Sequence, residues 1–73
     1  MQKGDKFIVT DNKQNCFEIN EVVVYLDSTK DKKHLWVEST NKSKRIFDRF
    51  DWVKPNEIKP LDRFPADDEQ TNN

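Results

Sequence analysis

The sequence predicts an all-β domain, and three observations carry the prediction. Short apolar segments alternate with polar turns, those segments are rich in β-branched and aromatic residues, and the one run at helical spacing stops at a proline. Residues 6–10, Lys-Phe-Ile-Val-Thr, read as a strand with Phe7 and Val9 on one face. Gly4, the single glycine of the chain, precedes it beside Asp5 and suits a turn entering a sheet. Residues 11–15 are polar and contain two asparagines, hence a loop.

The longest apolar stretch covers residues 17–27. Phe17 and Ile19 share one parity while Val22, Val24 and Leu26 share the other. A bulge near Asn20 and Glu21 is therefore expected to bring both sets inward and bend the strand. The run Val22-Val23-Val24-Tyr25 opposes a helix, because branching at Cβ restricts the rotamers a helix allows. Residues 28–33 form a charged turn, and residues 34–40 another strand with Leu35 and Val37 on one face and Trp36 on the other. Asn41-Lys42-Ser43 reads as a tight connection into a strand over 44–50, making a hairpin. Within 44–53, Ile46, Phe50 and Val53 stand at helical spacing, but Pro55 follows so soon that strand and then turn is the preferred reading.

Pro55-Asn56-Glu57 reads as one 3-10 turn, and Ile58-Lys59-Pro60-Leu61 as a short last strand. Pro60 places that strand at an edge, since proline cannot donate to a ladder. The folded domain is assigned to residues 1–64, with Phe64-Pro65 able to fold back onto it. Residues 65–73 are acidic and lack large apolar side chains, which predicts a disordered tail.

At 73 residues the chain is one domain at most. A domain of this size buries only about 60% of its unfolded surface, so the large apolar residues must carry the core. The eight aromatics (Phe7, Phe17, Tyr25, Trp36, Phe47, Phe50, Trp52 and Phe64) are the core candidates. One cysteine, Cys16, permits no internal disulfide, and one histidine, His34, makes a self-contained zinc site implausible. No cofactor or metal is expected, and stability must come from packing, a partner or homo-oligomeric association. No apolar run approaches the length of a membrane span, and no signal-peptide pattern opens the chain, so the expected compartment is the cytoplasm.

Five short strands, one strongly bent and the last preceded by a 3-10 turn, resemble a small SH3-like barrel. Gly4-Asp5-Lys6-Phe7-Ile8-Val9 resembles the opening strand of such barrels, and Asn56-Glu57-Ile58-Lys59-Pro60-Leu61 their 3-10 turn and closing strand. The likeness to KOW- and Tudor-like members covers about residues 3–61. Where a KOW motif carries a glycine after its first strand, this chain offers Asn12 and Asn15. Abundant Lys, Asn, Asp, Phe and Ile, with a single Ala and a single Gly, also resemble the small accessory proteins of bacteriophages.

The net charge of −1 conceals an uneven layout. Between residues 28 and 45, Lys30, Lys32, Lys33, Lys42, Lys44 and Arg45 face only Asp31 and Glu38. From residue 61 onward, Asp62, Asp67, Asp68 and Glu69 face only Arg63. The lysines could track a phosphate backbone, with Trp36 stacking on an exposed base. More often such lysines keep a hairpin soluble and guard its edges. An outward Trp36 or Trp52 could instead anchor a protein partner. Cys16 and His34 have no orienting third residue and no glycine-rich oxyanion loop, so a small buried cysteine and a surface histidine are expected. Asp48 and Asp51 read as solvated or paired with Arg45 and Arg49.

These readings converge on a non-catalytic binding module. Its expected contact residues are Lys30, Lys32, Lys33, Trp36, Lys42, Lys44 and Arg45, and its expected partner is nucleic acid or a nucleic-acid-handling complex. The alternative is a protein-binding adaptor or inhibitor, phage-encoded and directed at a host protein, anchored by an exposed tryptophan.

Overall fold

The computed structural model describes residues 2–61. Residues 62–73, on which the tail and the Phe64-Pro65 expectations fall, lie outside the described residues. The strands are β1 (Lys6–Val9), β2 (Val22–Ser28), β3 (Leu35–Ser39), β4 (Phe50–Val53) and β5 (Ile58–Pro60). They form one antiparallel five-stranded sheet in the order β4-β3-β2-β1-β5. Two 3-10 turns, Ile46–Asp48 and Pro55–Glu57, interrupt the strands, and the described residues hold no α-helix.

Period-two alternation sorts the side chains. Phe7 and Val9 from β1, Val23 and Tyr25 from β2, Leu35 and Val37 from β3, Val53 and Ile58 all lie buried on one face, joined by Phe17. Valine recurs through this core because a branched Cβ fits a pleated, half-buried surface. The alternation expected in the first and third strands is observed: Ile8 and Trp36 are half-buried on the opposite face.

Gly4 enters β1 at φ 98, a region that a Cβ makes costly. It donates its N–H to the Tyr25 carbonyl at 2.8 Å. The 3-10 turn at Pro55–Glu57 and the edge strand after it also appear as expected, with Pro60 opposite Phe7 at the end of the β1–β5 ladder. Buried Glu57 secures this turn by accepting the Lys54 N–H on Oε1 at 2.8 Å.

Three expectations need correction. The first concerns residues 17–27, which are not one bent strand: β2 begins at Val22, and Asn20 turns the chain at φ 72. The bulge lies instead between Tyr25 and Asp27, where Leu26 has no opposite number on β3. With the turn placed before β2, Val23 and Tyr25 point inward, not Val22, Val24 and Leu26, and Ile19 is left 49% exposed.

The second concerns the strand expected over 44–50, of which only Phe50 belongs to a strand, as the first residue of β4. The connection after β3 runs through residues 40–49 and contains the 3-10 turn at Ile46–Asp48, so the order is turn and then strand. Arg49 organises it, donating from Nε to the Lys44 carbonyl and from Nη2 to the Lys42 carbonyl, each at 3.0 Å. The third concerns the aromatics. Phe7, Phe17 and Tyr25 are buried, but Trp52 is 43% and Phe47 90% exposed, so not all of them enter the core.

The long β1–β2 connection is built from asparagine and aspartate side chains. Asn12 Nδ2 donates to the Phe17 carbonyl at 2.9 Å, Asn15 Nδ2 to the Asp11 carbonyl at 3.0 Å, and Asn15 Oδ1 accepts the Phe17 N–H at 3.0 Å. Neither asparagine has positive φ; they hold the loop through their side chains. At its far end the Cys16 N–H donates to Asp51 Oδ2 on β4 at 3.0 Å, tying the loop across to the opposite edge of the sheet.

Candidate nucleic-acid interface

The β2–β3 turn at residues 29–34 is a small hydrogen-bonded unit. The Thr29 hydroxyl donates to Asp31 Oδ1 at 2.7 Å, and the same oxygen accepts the Lys33 N–H at 3.0 Å. Thr29 and His34 pair through backbone at 3.0 Å, closing the turn. Lys32 sits at φ 62, a conformation this closure imposes. The Thr29 hydroxyl first, and then the Lys33 N–H, hold the Asp31 carboxyl below its usual range. Asp31 is thereby committed to its own turn, and Lys30, Lys32 and Lys33 project from it exposed.

Lys32, Lys33 and His34 line one side of an open groove of about 570 Å³, and Lys54, Pro55 and Asn56 line the other. The β3–β4 register explains the meeting. Leu35 faces Val53 and Trp36 faces Trp52, so one further step brings His34 opposite Lys54. The two loops that make the groove are the two that leave this end of the hairpin.

Next to the groove, on the outward face of the same two strands, lies an aromatic cluster. Trp36 stacks on Phe50 with centroids 5.9 Å apart at 16°, and meets Trp52 at 5.0 Å and 51°. Trp36 is half-buried between these neighbours, while Trp52 keeps an open flank on β4, the outer strand of the described sheet.

The remaining expected contact residues sit elsewhere. Lys42, Lys44 and Arg45 belong to the β3–β4 connection, at the other end of β3 from the groove. Five strand residues separate the two ends, about 16 Å at the usual rise, so the basic segment makes two clusters and not one face. Lys42 and Arg45 are exposed there. Lys44 is committed to the fold: its Nζ lies 2.8 Å from Glu21 Oε2 and 5.2 Å from the centre of the Phe17 ring.

Glu21 also accepts the Ser39 hydroxyl and the Glu18 N–H. Burial opposes its ionisation, but the hydrogen bonds from Lys44, Ser39 and Glu18 outweigh that and hold its carboxyl below the usual range.

His34 is exposed, as expected, whereas Cys16 is exposed where a buried residue was expected. Partial burial and the nearby Asp51 carboxylate raise the Cys16 thiol above its ordinary value, the reverse of what an activated nucleophile needs. Among the described residues Asp51 has no arginine partner; it accepts the N–H groups of Cys16 and Trp52. Among the described residues, no three His, Cys, Asp or Glu side chains cluster in a way that could hold a metal ion, and no helix is long and apolar enough to cross a membrane.

Sequence reasoning missed Lys54, His34 and Phe50 as members of this surface. The signal was alternation: Phe50, Trp52 and Lys54 share one parity, and only the strand misplaced at 44–50 obscured it. Compared with known proteins, the chain matches no family model, no curated protein and no solved structure.

Proposed function

We propose that the chain is a five-stranded SH3-like barrel serving as a non-catalytic, nucleic-acid-associated binding module in the cytoplasm. The strand order, with a 3-10 turn leading into the last strand, supports the barrel. So does the Cys16–Asp51 hydrogen bond, which draws the β1–β2 loop over to β4. The observation that carries the function is the groove in which Lys32, Lys33 and Lys54 converge beside Trp36 and Trp52. Lysines that line one groove suit a phosphate backbone, and adjacent aromatic rings suit bases. With a net charge of −1 the attraction is local, so binding depends on this groove and not on the field of the whole molecule.

Fluorescence anisotropy with a labelled oligonucleotide at several salt concentrations tests the reading. Three phosphate contacts predict a log–log salt slope of about −2 on a single strand, at about −0.7 per contact. Lys32→Gln with Lys33→Gln should bring it to about −0.7. Binding that ignores both salt and these substitutions would refute the choice of face.

A protein-binding adaptor is the second reading, and one feature favours it. Phe47 is 90% and Ile46 55% exposed at the tip of the β3–β4 connection, where apolar side chains have little structural use. A partner anchored there would be lost on Phe47→Ala and would respond weakly to salt.

A further inference from the structure

We infer that the ligand of the groove is single-stranded, with one unpaired base stacked on Trp52 and the adjoining phosphate held by Lys54; this rests on the nucleic-acid reading above. Trp52 is the exposed member of the aromatic cluster, at 43%. Its inner flank meets the Trp36 ring at 5.0 Å, and Trp36 is backed in turn by Phe50 at 5.9 Å. The indole thus rests against Trp36 at a 51° tilt and remains 43% exposed, which leaves surface on which a flat ring can stack.

A base inside a duplex offers no free face, since both are covered by its neighbours. Stacking on Trp52 therefore selects an unpaired base. Lys54 stands two residues further along and at the same parity, about 6.6 Å away by Cα at the usual rise, comparable to the span from a base to its own phosphate. Lys32 and Lys33 continue the basic wall across the groove.

The carboxylates set the path. Asp27 lies opposite Trp36 on β2 and Glu38 opposite Phe50 on β3, so the inner side of the aromatic cluster repels a phosphate. The backbone is thereby directed away from Asp27 and Glu38, toward the end of β3 and β4 where the groove lies. Alternation along the chain puts Trp52 and Lys54 on one face, and the β3–β4 register brings them beside Trp36 and His34.

Titrations of the full chain with a deoxythymidine strand of about 12 nucleotides, and with a duplex of equal length, test the inference. The single strand should bind about 5- to 150-fold more tightly, the range expected from one stacked base, and should quench tryptophan emission. Trp52→Ala should remove that preference and Trp52→Phe should keep most of it, while Lys54→Gln should reduce the salt slope by about 0.7. A urea midpoint for each variant separates lost contact from lost fold.

Equal affinity for duplex and single strand, unchanged in both Trp52 variants but weakened by Lys32→Gln with Lys33→Gln, would overturn base stacking and leave the basic groove standing. Absence of binding to either nucleic acid at low salt would overturn both.

Discussion

The Nζ of Lys44 lies between the Glu21 carboxylate and the face of Phe17, which makes this lysine part of the fold. The side chains of Lys44 and Glu21 are only 18% and 9% exposed. Removing one partner strands the other, so Glu21→Ala should cost about 1–3 kcal/mol in chemical denaturation. The pH dependence follows from the sign of the shift. The folded carboxyl lies below its unfolded value, so its stabilisation is fully present above that value, about 4.3, and fades as pH falls through the folded one. The stability gap between wild type and Glu21→Gln should therefore narrow between pH 6 and pH 3, approximately; a gap independent of pH would show that Glu21 is not ionised in the fold. Asn20, at φ 72, makes a second residue-scale case. Asparagine tolerates that region and valine does not, so Asn20→Val should cost about 1–2 kcal/mol.

At the scale of elements, legibility depended on whether a segment's neighbours fixed its face. Phe7 and Val9, and Leu35 and Val37, alternate without interruption, so their inward faces could be read directly. The Pro55–Glu57 turn was legible because proline and glutamate mark its ends. β2 was not, because its valines run consecutively: Val22, Val23 and Val24 give either parity the same hydrophobicity, and the turn at Asn20 decides. Paired substitutions check the result. Val23→Ala should cost about 2 kcal/mol, combining lost burial with a cavity, and Val24→Ala less than about 1. The reverse ranking, in urea midpoints, would restore the parity the sequence suggested. β4 was misplaced for a related reason. Ile46 and Phe47 look like strand or core residues by type, yet Arg49 fixes the loop by binding two of its carbonyls, and both apolar side chains point to solvent. Arg49→Ala should loosen residues 40–49, seen as faster amide exchange there than in β1 or β2.

For the whole molecule, charge lies where the topology puts it. The basic run between residues 28 and 45 is contiguous in sequence, but β3 divides it, sending Lys30, Lys32 and Lys33 to one end of the sheet and Lys42, Lys44 and Arg45 to the other. Lys54 joins the first group from a distant part of the chain. The candidate site was thus half legible: its lysine turn, Trp36 and Trp52 could be named from the sequence, while bringing Trp52 and Lys54 beside the others required the pairing of β3 with β4. The central claim is that this end of the sheet, and not the Ile46–Phe47 tip, meets the ligand. Amide and indole shifts of the isotope-labelled chain, followed while a short deoxythymidine strand is added, test that claim most directly. The largest changes should fall at Lys32, Lys33, His34 and Lys54 and at the Trp52 indole N–H, with Ile46 and Phe47 unmoved. Changes centred on Ile46 and Phe47, or none anywhere at low salt, would contradict it.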